Sequence, residues 1–414
     1  MSGPKPVHAP QTQFPIVDNC LQVGGMALTR LAQRVGSTPF YAYDRSCLSQ
    51  RVALLRRHLP PGLALHYSIK ANPMPAVVQH MAALVDGLDV ASGGEMKVAL
   101  DSGMPAACIS FAGPAKSEAE LAQALAAGVC VNLESEREIT LLARLSQTMG
   151  IEASAVLRIN PDFELKSSGM KMGGGAKQFG VDAEQAPAML ALAASCGVAI
   201  HGLQIFSGSQ SLKADAVIEA QSQAVELALA LAAQSPHALR TLNIGGGFGI
   251  PYFPGEQPLA LAPIGAHLAA LQQQVAAALP QARLAIELGR YLVGEAGVYV
   301  ARVIDRKRSR GQLFLVTDGG LHHHLAASGN FGQVIRKNYP VAVGSRMAAP
   351  NAGQGESACV VGPLCTPLDM LAERMALGHA EVGDLVVVFQ SGAYGLSASP
   401  GHFLGHPQAA EVLV

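Results

Sequence analysis

Short apolar runs alternate with longer Ala- and Leu-rich stretches between about residues 40 and 290. The short runs are bounded by turn-forming residues, as is typical of buried strands, and the long stretches place apolar residues at helical spacing. Eight such runs are candidate strands: ALHYS (64–68), LDVA (88–91), ISFA (109–112), CVNL (130–133), AVLRI (155–159), GLQIF (202–206), TLNI (241–244) and LAIE (284–287). Eight alternating β and α segments predict an α/β fold, a parallel (β/α)8 barrel.

The pattern changes after Arg290, where strand-like runs follow one another without long helices between them. These runs are VYVARVID (298–305), QLFLVTDGG (312–320), SACVVG (357–362) and DLVVVF (384–389). They predict a C-terminal all-β domain, which the strand-like run 39–44 is placed to join. We expect a tail and lead-in to the β-domain over 1–38, the barrel over 39–290 and the β-domain over 291–414.

Composition narrows the class of function. Half of the 414 residues are apolar, 14% are charged and the formal net charge is −1. No basic stripe is available for nucleic acid, and no apolar run is long enough for a membrane span, so we expect a small-molecule substrate. The seven cysteines are scattered without a C-x-x-C pair, which predicts neither disulfides nor a zinc site and favours a cytoplasmic location.

Chemically distinctive residues follow the predicted strands, where barrel enzymes carry their active sites. Lys70 follows the first strand, and an amine fixed at the edge of a core is partly desolvated and can act as a nucleophile. Glycine runs let backbone N–H groups approach a phosphate, although a tight turn explains Gly245 to Gly247 equally well in isolation. The strand-end set is Lys70, Ser92 to Glu95, Arg158, Ser207 to Ser209, Gly245 to Gly247, Glu287, Gly289 and Arg290. A lysine, a phosphate cradle and a buried carboxylate together suggest pyridoxal phosphate, with Glu287 keeping its ring nitrogen protonated.

An ordered set of short motifs spans nearly the whole chain: YSIKAN, GSQ, NIGGGFG, ELGR, GPLCTPLD and SGAYG. In this order they resemble the fold type III pyridoxal phosphate-dependent decarboxylases, the diaminopimelate, ornithine and arginine decarboxylase family. The resemblance implies an alanine-racemase-like barrel with a C-terminal, Greek-key-like β-domain. It also implies α-decarboxylation of an L-amino acid or amino-acid conjugate, and a homodimer with shared active sites.

The resemblance also implies roles for individual residues. Lys70 resembles the lysine that forms a Schiff base with the cofactor, Glu287 the partner of the ring nitrogen, and Cys365 the thiol that a partner subunit inserts to protonate Cα. Glu95 resembles a residue that supports the site, and Arg290, Thr366 and Tyr394 are the candidate substrate contacts. Residues near the ring are Asp89, Arg158 and Phe206, and those matching phosphate-holding positions are Ser209, Gly246, Gly247, Gly289, Arg290 and Tyr394.

Three departures from the family pattern bear on the substrate. Phe206 stands where the family commonly has a histidine stacked on the cofactor, and it has no N–H. The family's Glu-Pro-Gly-Arg is Glu-Leu-Gly-Arg here, which keeps Glu287 and Arg290. The family's diaminopimelate and ornithine enzymes carry an acidic residue after the cysteine, whereas Thr366 is neutral and cannot pair with a distal ammonium. The chain is therefore more similar to divergent members, such as glutamyl-carrier-protein and exosortase-associated decarboxylases.

Several alternatives stay open. An amino-acid racemase on the same fold and a non-catalytic regulatory homologue are the rival functions, although Glu287 and Cys365 argue against the first and Lys70 against the second. His322 to His324 invite a metal, but consecutive side chains on a strand alternate faces, so no metal is expected. These histidines, with Arg336 and Lys337, are candidates for contacting a substrate carboxylate or carrier arm. The basic run 305–310 is interpreted as a solvated hairpin tip.

Overall fold

The computed structural model describes residues 6–333, 335–347 and 355–414. The chain divides into two compact units. The β-unit comprises Met1–Gln50, Pro251–Pro258 and Val293–Val414, and the barrel unit comprises Arg51–Ile250 and Leu259–Leu292.

Eight parallel strands form the barrel unit, and we number them barrel strands 1 to 8 along the chain. They are Ala64–Ser68, Gly87–Val90, Ile109–Phe111, Cys130–Leu133, Ala155–Asn160, Ile200–Ile205, Thr241–Asn243 and Arg283–Leu288. Strand 8 pairs with strand 1, and strand 4 pairs with strand 5, which closes the sheet. A short strand, Val181–Asp182, pairs in parallel with the last two residues of strand 5, Ile159 and Asn160. The predicted barrel is confirmed, with each strand within two residues of its predicted bounds.

Three of the helices that follow barrel strands begin at a serine N-cap. Ser117 and Glu120 form a capping box at the start of Glu118–Ala127, and Gly128 ends that helix in a left-handed conformation with φ of 74°. Ser92 and Ser135 accept hydrogen bonds from backbone N–H groups three residues later in the same way. The other helices of this unit are Pro75–Ala82, Gly93–Asp101, Glu136–Met149, Ala186–Ser195, Ala214–Ala232 and Leu261–Ala278.

The β-unit is built on a mixed sheet. Its strand order is Val341–Val343, Leu385–Val388, Gly297–Ser309, Gln312–Thr317, Glu356–Val361 and Met370–Leu377. Phe40–Tyr43 pairs with Gly297–Ser309 on one side and with Ala410–Leu413 on the other. A small sheet of Ile16–Val17, Cys20–Val23 and Met26–Ala27 and the helix Leu28–Val35 complete the unit. Within the described ranges, two further α-helices are Arg45–His58 and Arg290–Val293.

The core of the β-unit explains why the run 39–44 belongs to its sheet. Phe40 and Ala42 pack with Val298, Val300 and Val387 in one buried cluster. All four residues of Phe40–Tyr43 are buried, as expected of a strand paired on both sides. Across the described ranges, no helix combines the length and apolar character needed to cross a membrane.

Candidate active site

Lys70 lies in the single helical turn Ile69–Ala71 that follows barrel strand 1. Its neighbours Ile69 and Ala71 are buried, so the backbone at this position is fixed, whereas the Lys70 side chain is exposed. The desolvation expected from sequence is therefore not present in the single chain. The Lys70 charge nevertheless reaches two acidic side chains, since it lowers the pKa of Glu95 and of Glu287 against the larger, opposing effect of their burial.

Glu287 lies on barrel strand 8 and is 7% exposed. Gln204 Nε2 donates to Glu287 Oε2 at 2.6 Å, and Asn243 Nδ2 donates to the same oxygen at 2.8 Å. Both bonds come from neutral amides. The carboxylate is therefore oriented without a directly bonded cation that would compensate its negative charge.

Burial raises the pKa of Glu287, and the charge of Asp89 raises it further. Lys70, the hydrogen bond from Gln204 and the charge of Arg158 lower the same pKa. A group pulled in both directions by nearby charges is typical of an active site.

Asp89, on barrel strand 2, faces the barrel interior. Ser110 Oγ donates a short hydrogen bond to Asp89 Oδ1, and His66 Nδ1 lies 3.5 Å from that oxygen. Burial opposes protonation of His66, but the hydrogen bond and charge of Asp89, with smaller contributions from Glu287 and Asp86, give a net rise in the pKa of His66. The sequence interpretation placed Asp89 at the site but did not single out His66.

A cavity of about 190 Å³ occupies the part of the barrel interior near the start of the strands. Its lining includes the polar side chains of His66, Ser110, Asn132, Gln204 and Asn243. Its size and its polar groups suit ordered water.

Arg158 lies on barrel strand 5, two residues before the strand ends, and is 7% exposed. Its Nη1 donates to Glu134 Oε1 at 2.9 Å, and Glu134 Oε2 accepts from the Gly180 N–H at 2.9 Å. Lys116 Nζ in turn donates to Glu138 at 3.0 and 3.2 Å. The four buried charges therefore form two compensating pairs, and Arg158 is held rigidly at the carboxyl end of the barrel.

Gly245 to Gly247 form the loop after barrel strand 7. A Cβ atom on Gly246 would lie 2.3 Å from the Glu287 carbonyl oxygen, and Gly247 has φ of 80°. Side chains are therefore excluded, which leaves the backbone open to a phosphate. The neighbouring Ser209 follows barrel strand 6 and pairs with Met170.

Phe206 and Gly289 frame the same end of the barrel. A Cβ on Gly245 would lie 2.8 Å from Phe206 Cδ2, so the ring packs directly on the glycine loop. Gly289 directly precedes Arg290, the first residue of a short helix, and its position would bring a Cβ within 3.0 Å of Ala71 Cβ, next to Lys70. This glycine cradle and the amide-held carboxylate fit pyridoxal phosphate.

The structure places Cys365, Thr366 and Tyr394 in the β-unit. Cys365 is exposed on a loop that Asp369 holds, since Asp369 Oδ2 accepts from Leu364 N at 2.8 Å. Thr366 Oγ1 accepts from Leu368 N at 3.3 Å. Tyr394 is half-buried with φ of 51°. Their roles stay predictions.

His322 to His324 lie in a turn, not on a strand as expected, and all three are buried. Ala327 N–H donates to His324 Nδ1 at 3.2 Å, so Nε2 carries the proton and donates to Ser391 Oγ at 2.9 Å. Burial lowers the pKa of His324 to about 3. Within the described ranges, no three His, Cys, Asp or Glu side chains are grouped so that they could hold a metal ion.

The sequence interpretation missed the polar residues on the inner face of the barrel. Asn132, Gln204 and Asn243 each interrupt an apolar run, in CVNL, GLQIF and TLNI. A buried amide within a strand needs hydrogen-bond partners, so these three residues were the available signal of a polar network inside the barrel. His66, Lys116 and Glu134 were missed as well.

Comparison with known proteins agrees with this geometry. The family model described as "Pyridoxal-dependent decarboxylase, pyridoxal binding domain" matches residues 45–294. The L-glutamyl-[BtrI acyl-carrier protein] decarboxylase of Niallia circulans is 36% identical over 93% of this chain and 90% of its own length. The diaminopimelate decarboxylase of Aquifex aeolicus is 31% identical over 96% of this chain and 91% of its own length.

A solved structure shows the same relationship. The diaminopimelate decarboxylase of Helicobacter pylori, complexed with L-lysine, superposes with a TM-score of 0.82 at 26% identity, covering 93% of this chain and 94% of that one. Both units are therefore included in the likeness. The chain belongs to the family of pyridoxal-dependent decarboxylases, carboxy-lyases that act on amino acids with pyridoxal phosphate as cofactor.

Proposed function

We propose that this enzyme removes the α-carboxyl group from an L-amino acid or an amino-acid conjugate whose distal end carries no ammonium group. The observation that carries the reaction type is Glu287, a buried carboxylate held by two amide donors beside the glycine cradle. When bound, pyridoxal phosphate supplies an electron sink for the pair left at Cα.

Each predicted site residue has a proposed task in this reaction. The Lys70 amine would hold the cofactor through its aldehyde carbon, and Glu287 would accept a hydrogen bond from its ring nitrogen. Arg158 and Asp89 would lie near the ring, with Phe206 as an apolar surface against it. Cys365 would return a proton to Cα. The phosphate would be held by Ser209, Gly246, Gly247, Gly289, Arg290 and Tyr394.

The substrate proposal rests on Thr366. A neutral hydroxyl next to Cys365 cannot pair with a distal ammonium as a carboxylate does. The carrier-linked glutamyl substrate named for the Niallia circulans relative has no such ammonium, and this supports an amino-acid conjugate.

A screen of CO2 release tests both the reaction and the substrate. The substrates to compare are diaminopimelate, ornithine, lysine, arginine and a glutamyl thioester on a carrier protein. We expect release from the thioester and little from the basic amino acids. Activity confined to diaminopimelate would show that Thr366 does not decide the substrate.

The same incubations address the rival functions. A racemase would form the D-enantiomer without CO2, and a regulatory homologue would bind no cofactor. Lys70→Ala should abolish the absorbance band of bound pyridoxal phosphate, with Lys97→Ala, on the exposed face of a helix, as the control.

We also propose a homodimer with shared active sites in the cytoplasm. The proposal of a dimer rests on the exposed position of Cys365, which leaves its thiol accessible to a second copy of the chain. The location rests on the spacing of the seven cysteines.

A further inference from the structure

Two amide side chains form a directed chain of hydrogen bonds inside the barrel that ends on Glu287. Asn132 Nδ2 donates to Gln204 Oε1 at 2.7 Å, and Gln204 Nε2 then donates to Glu287 Oε2 at 2.6 Å. The exposed fractions of Asn132 and Gln204 are 1% and 2%, so both amides are shielded from bulk solvent. The orientation of the Gln204 amide is fixed because its oxygen is already used.

Asn243 reaches Glu287 from barrel strand 7. Its Nδ2 donates to Glu287 Oε2 at 2.8 Å, while its Oδ1 accepts from the Gly245 N–H at 2.9 Å. Gly245 has φ of 69° and is packed against Phe206. One side chain therefore connects the carboxylate with the first residue of the glycine loop.

The nature of these donors matters for the charge of Glu287. Another buried glutamate at this end of the barrel, Glu134, is bonded to a cation, Arg158. Glu287 is bonded to neutral amides, and hydrogen bonds of this kind favour the ionised form without adding a positive charge. Both amides use Oε2, so Oε1 remains for a third donor.

The charged groups around Glu287 come from several elements. Asp89 on strand 2, Arg158 on strand 5 and Lys70 after strand 1 act on its pKa, and its own charge acts on His66 of strand 1. Strands 6 and 7 contribute only Gln204 and Asn243, which have no charge. The Gln204 hydrogen bond therefore lowers the pKa of Glu287 together with the two cations, against the effects of burial and Asp89.

We propose that Gln204 and Asn243 are positioning residues that keep Glu287 ionised and aim its Oε1 at the ring nitrogen of the cofactor, with Asn132 orienting Gln204. This inference rests on the proposed role of Glu287. Asn243 has a second task, because it sets the glycine loop relative to the carboxylate.

The test uses two shape-conserving substitutions that remove the donors, Gln204→Met and Asn243→Leu. The matched control is Gln221→Met, since Gln221 is also buried in the barrel unit but makes no hydrogen bond within the part of the chain that the structure describes. Gln204→His, which retains an N–H donor, serves as the conservative rescue.

Three measurements separate positioning from a merely structural role. In Gln204→Met the acid limb of the kcat profile should move up by about one pH unit, because loss of a donor raises the pKa of Glu287 and the carboxylate form is lost at higher pH. Its kcat should fall by about tenfold or more with KM nearly unchanged. Gln204→His should recover most of kcat.

The third measurement needs no turnover. We expect the Kd of pyridoxal phosphate for the apoenzyme to rise about tenfold in Asn243→Leu, which loses both bonds, and less in Gln204→Met. If Gln204→Met fails to fold, Asn132→Leu removes only the support of Gln204 and should give a smaller shift in the same direction.

The inference is overturned if the donor variants match Gln221→Met within twofold in kcat, Kd and the position of the acid limb. A failure of the proposed function gives a different result. In that case the unsubstituted enzyme releases no CO2, or the Glu287→Gln variant is as active as the unsubstituted enzyme. An active enzyme that needs Glu287 but tolerates Gln204→Met and Asn243→Leu rejects the positioning role alone.

Discussion

Two buried glutamates at the carboxyl end of the barrel show how different partners give the same residue type different properties. Glu134 is paired with Arg158 at 2.9 Å, and Glu287 is bonded to two amides. A paired carboxylate is largely compensated and fixes structure, whereas an amide-held carboxylate keeps its charge for a ligand. The first belongs to the frame of the site and the second is proposed to act in it.

Glu134→Gln should destabilise the protein by about 3 kcal/mol or more, because it leaves the buried Arg158 without a counter-charge. Urea unfolding measures the change. The control is Glu118→Gln, which breaks an ion pair of the same length, Arg144 to Glu118 at 2.9 Å, whose side chains are about 60% exposed. That variant should lose less than about 1 kcal/mol. Equal losses in the two variants would contradict the role assigned to burial.

At the level of elements, one loop of the barrel unit and one turn of the β-unit are each held in a fixed conformation. The glycine loop after barrel strand 7 approaches the Glu287 carbonyl so closely that a single methyl group has no room. The turn of His322 to His324 is fixed by buried hydrogen bonds instead. Each element makes a separate prediction.

Gly246→Ala should weaken pyridoxal phosphate binding at least about tenfold, because the new Cβ would force the glycine loop away from Glu287. Titration of the apoenzyme by absorbance gives the Kd. Gly150→Ala serves as the control, since Gly150 caps a helix with φ of 66° and a Cβ there meets nothing within 4 Å. The control should lose stability and keep its affinity for the cofactor. Unchanged affinity in Gly246→Ala would argue against the cradle.

The turn of histidines predicts a dependence of stability on pH. Burial lowers the pKa of His324 to about 3, so the unfolded chain takes up a proton below about pH 6.5 while the folded chain does not. The stability contributed by neutral His324 is therefore present above pH 6.5 and lost progressively as the pH falls toward 3.

His324→Phe should reduce the slope of the free energy of unfolding against pH between pH 6.5 and 4. The same variant should have a lower free energy of unfolding at pH 7. Urea titrations across this range measure the slope. His402→Gln changes an exposed histidine of the same unit and should leave the slope unaltered. An equally steep acid loss in His324→Phe would mean that other groups control it.

At the scale of the whole molecule, the proposed shared site makes a prediction about mixtures. Lys70→Ala and Cys365→Ala remove groups from different units of the chain. In a dimer with shared sites, equal mixing of two inactive variants should restore about a quarter of the activity, because half of the dimers are mixed and each has one intact site. If each copy works alone, mixing restores nothing. Light scattering on the same samples reports the oligomeric state.

The alternation of apolar runs and helical stretches determined the barrel, since each strand needs an apolar run and each crossover a capped helix. The sequence also determined Lys70, Glu287 and the glycine loop as candidates, because catalytic groups and glycines follow strand ends. In the β-unit, Met370–Leu377 was missed because MLAERMAL has the composition of a helix and is held as a strand only by pairing with Glu356–Val361.

Only the tertiary structure decided which inward-facing residues meet. Asn132, Gln204 and Asn243 are separated by up to 111 positions from one another, and barrel closure brings their amides into one hydrogen-bonded network centred on Glu287. Their partners depend on strand register, which a single sequence does not specify residue by residue. Local patterns thus fixed the elements and their chemistry, whereas the orientation and charge of the central carboxylate came from long-range contacts.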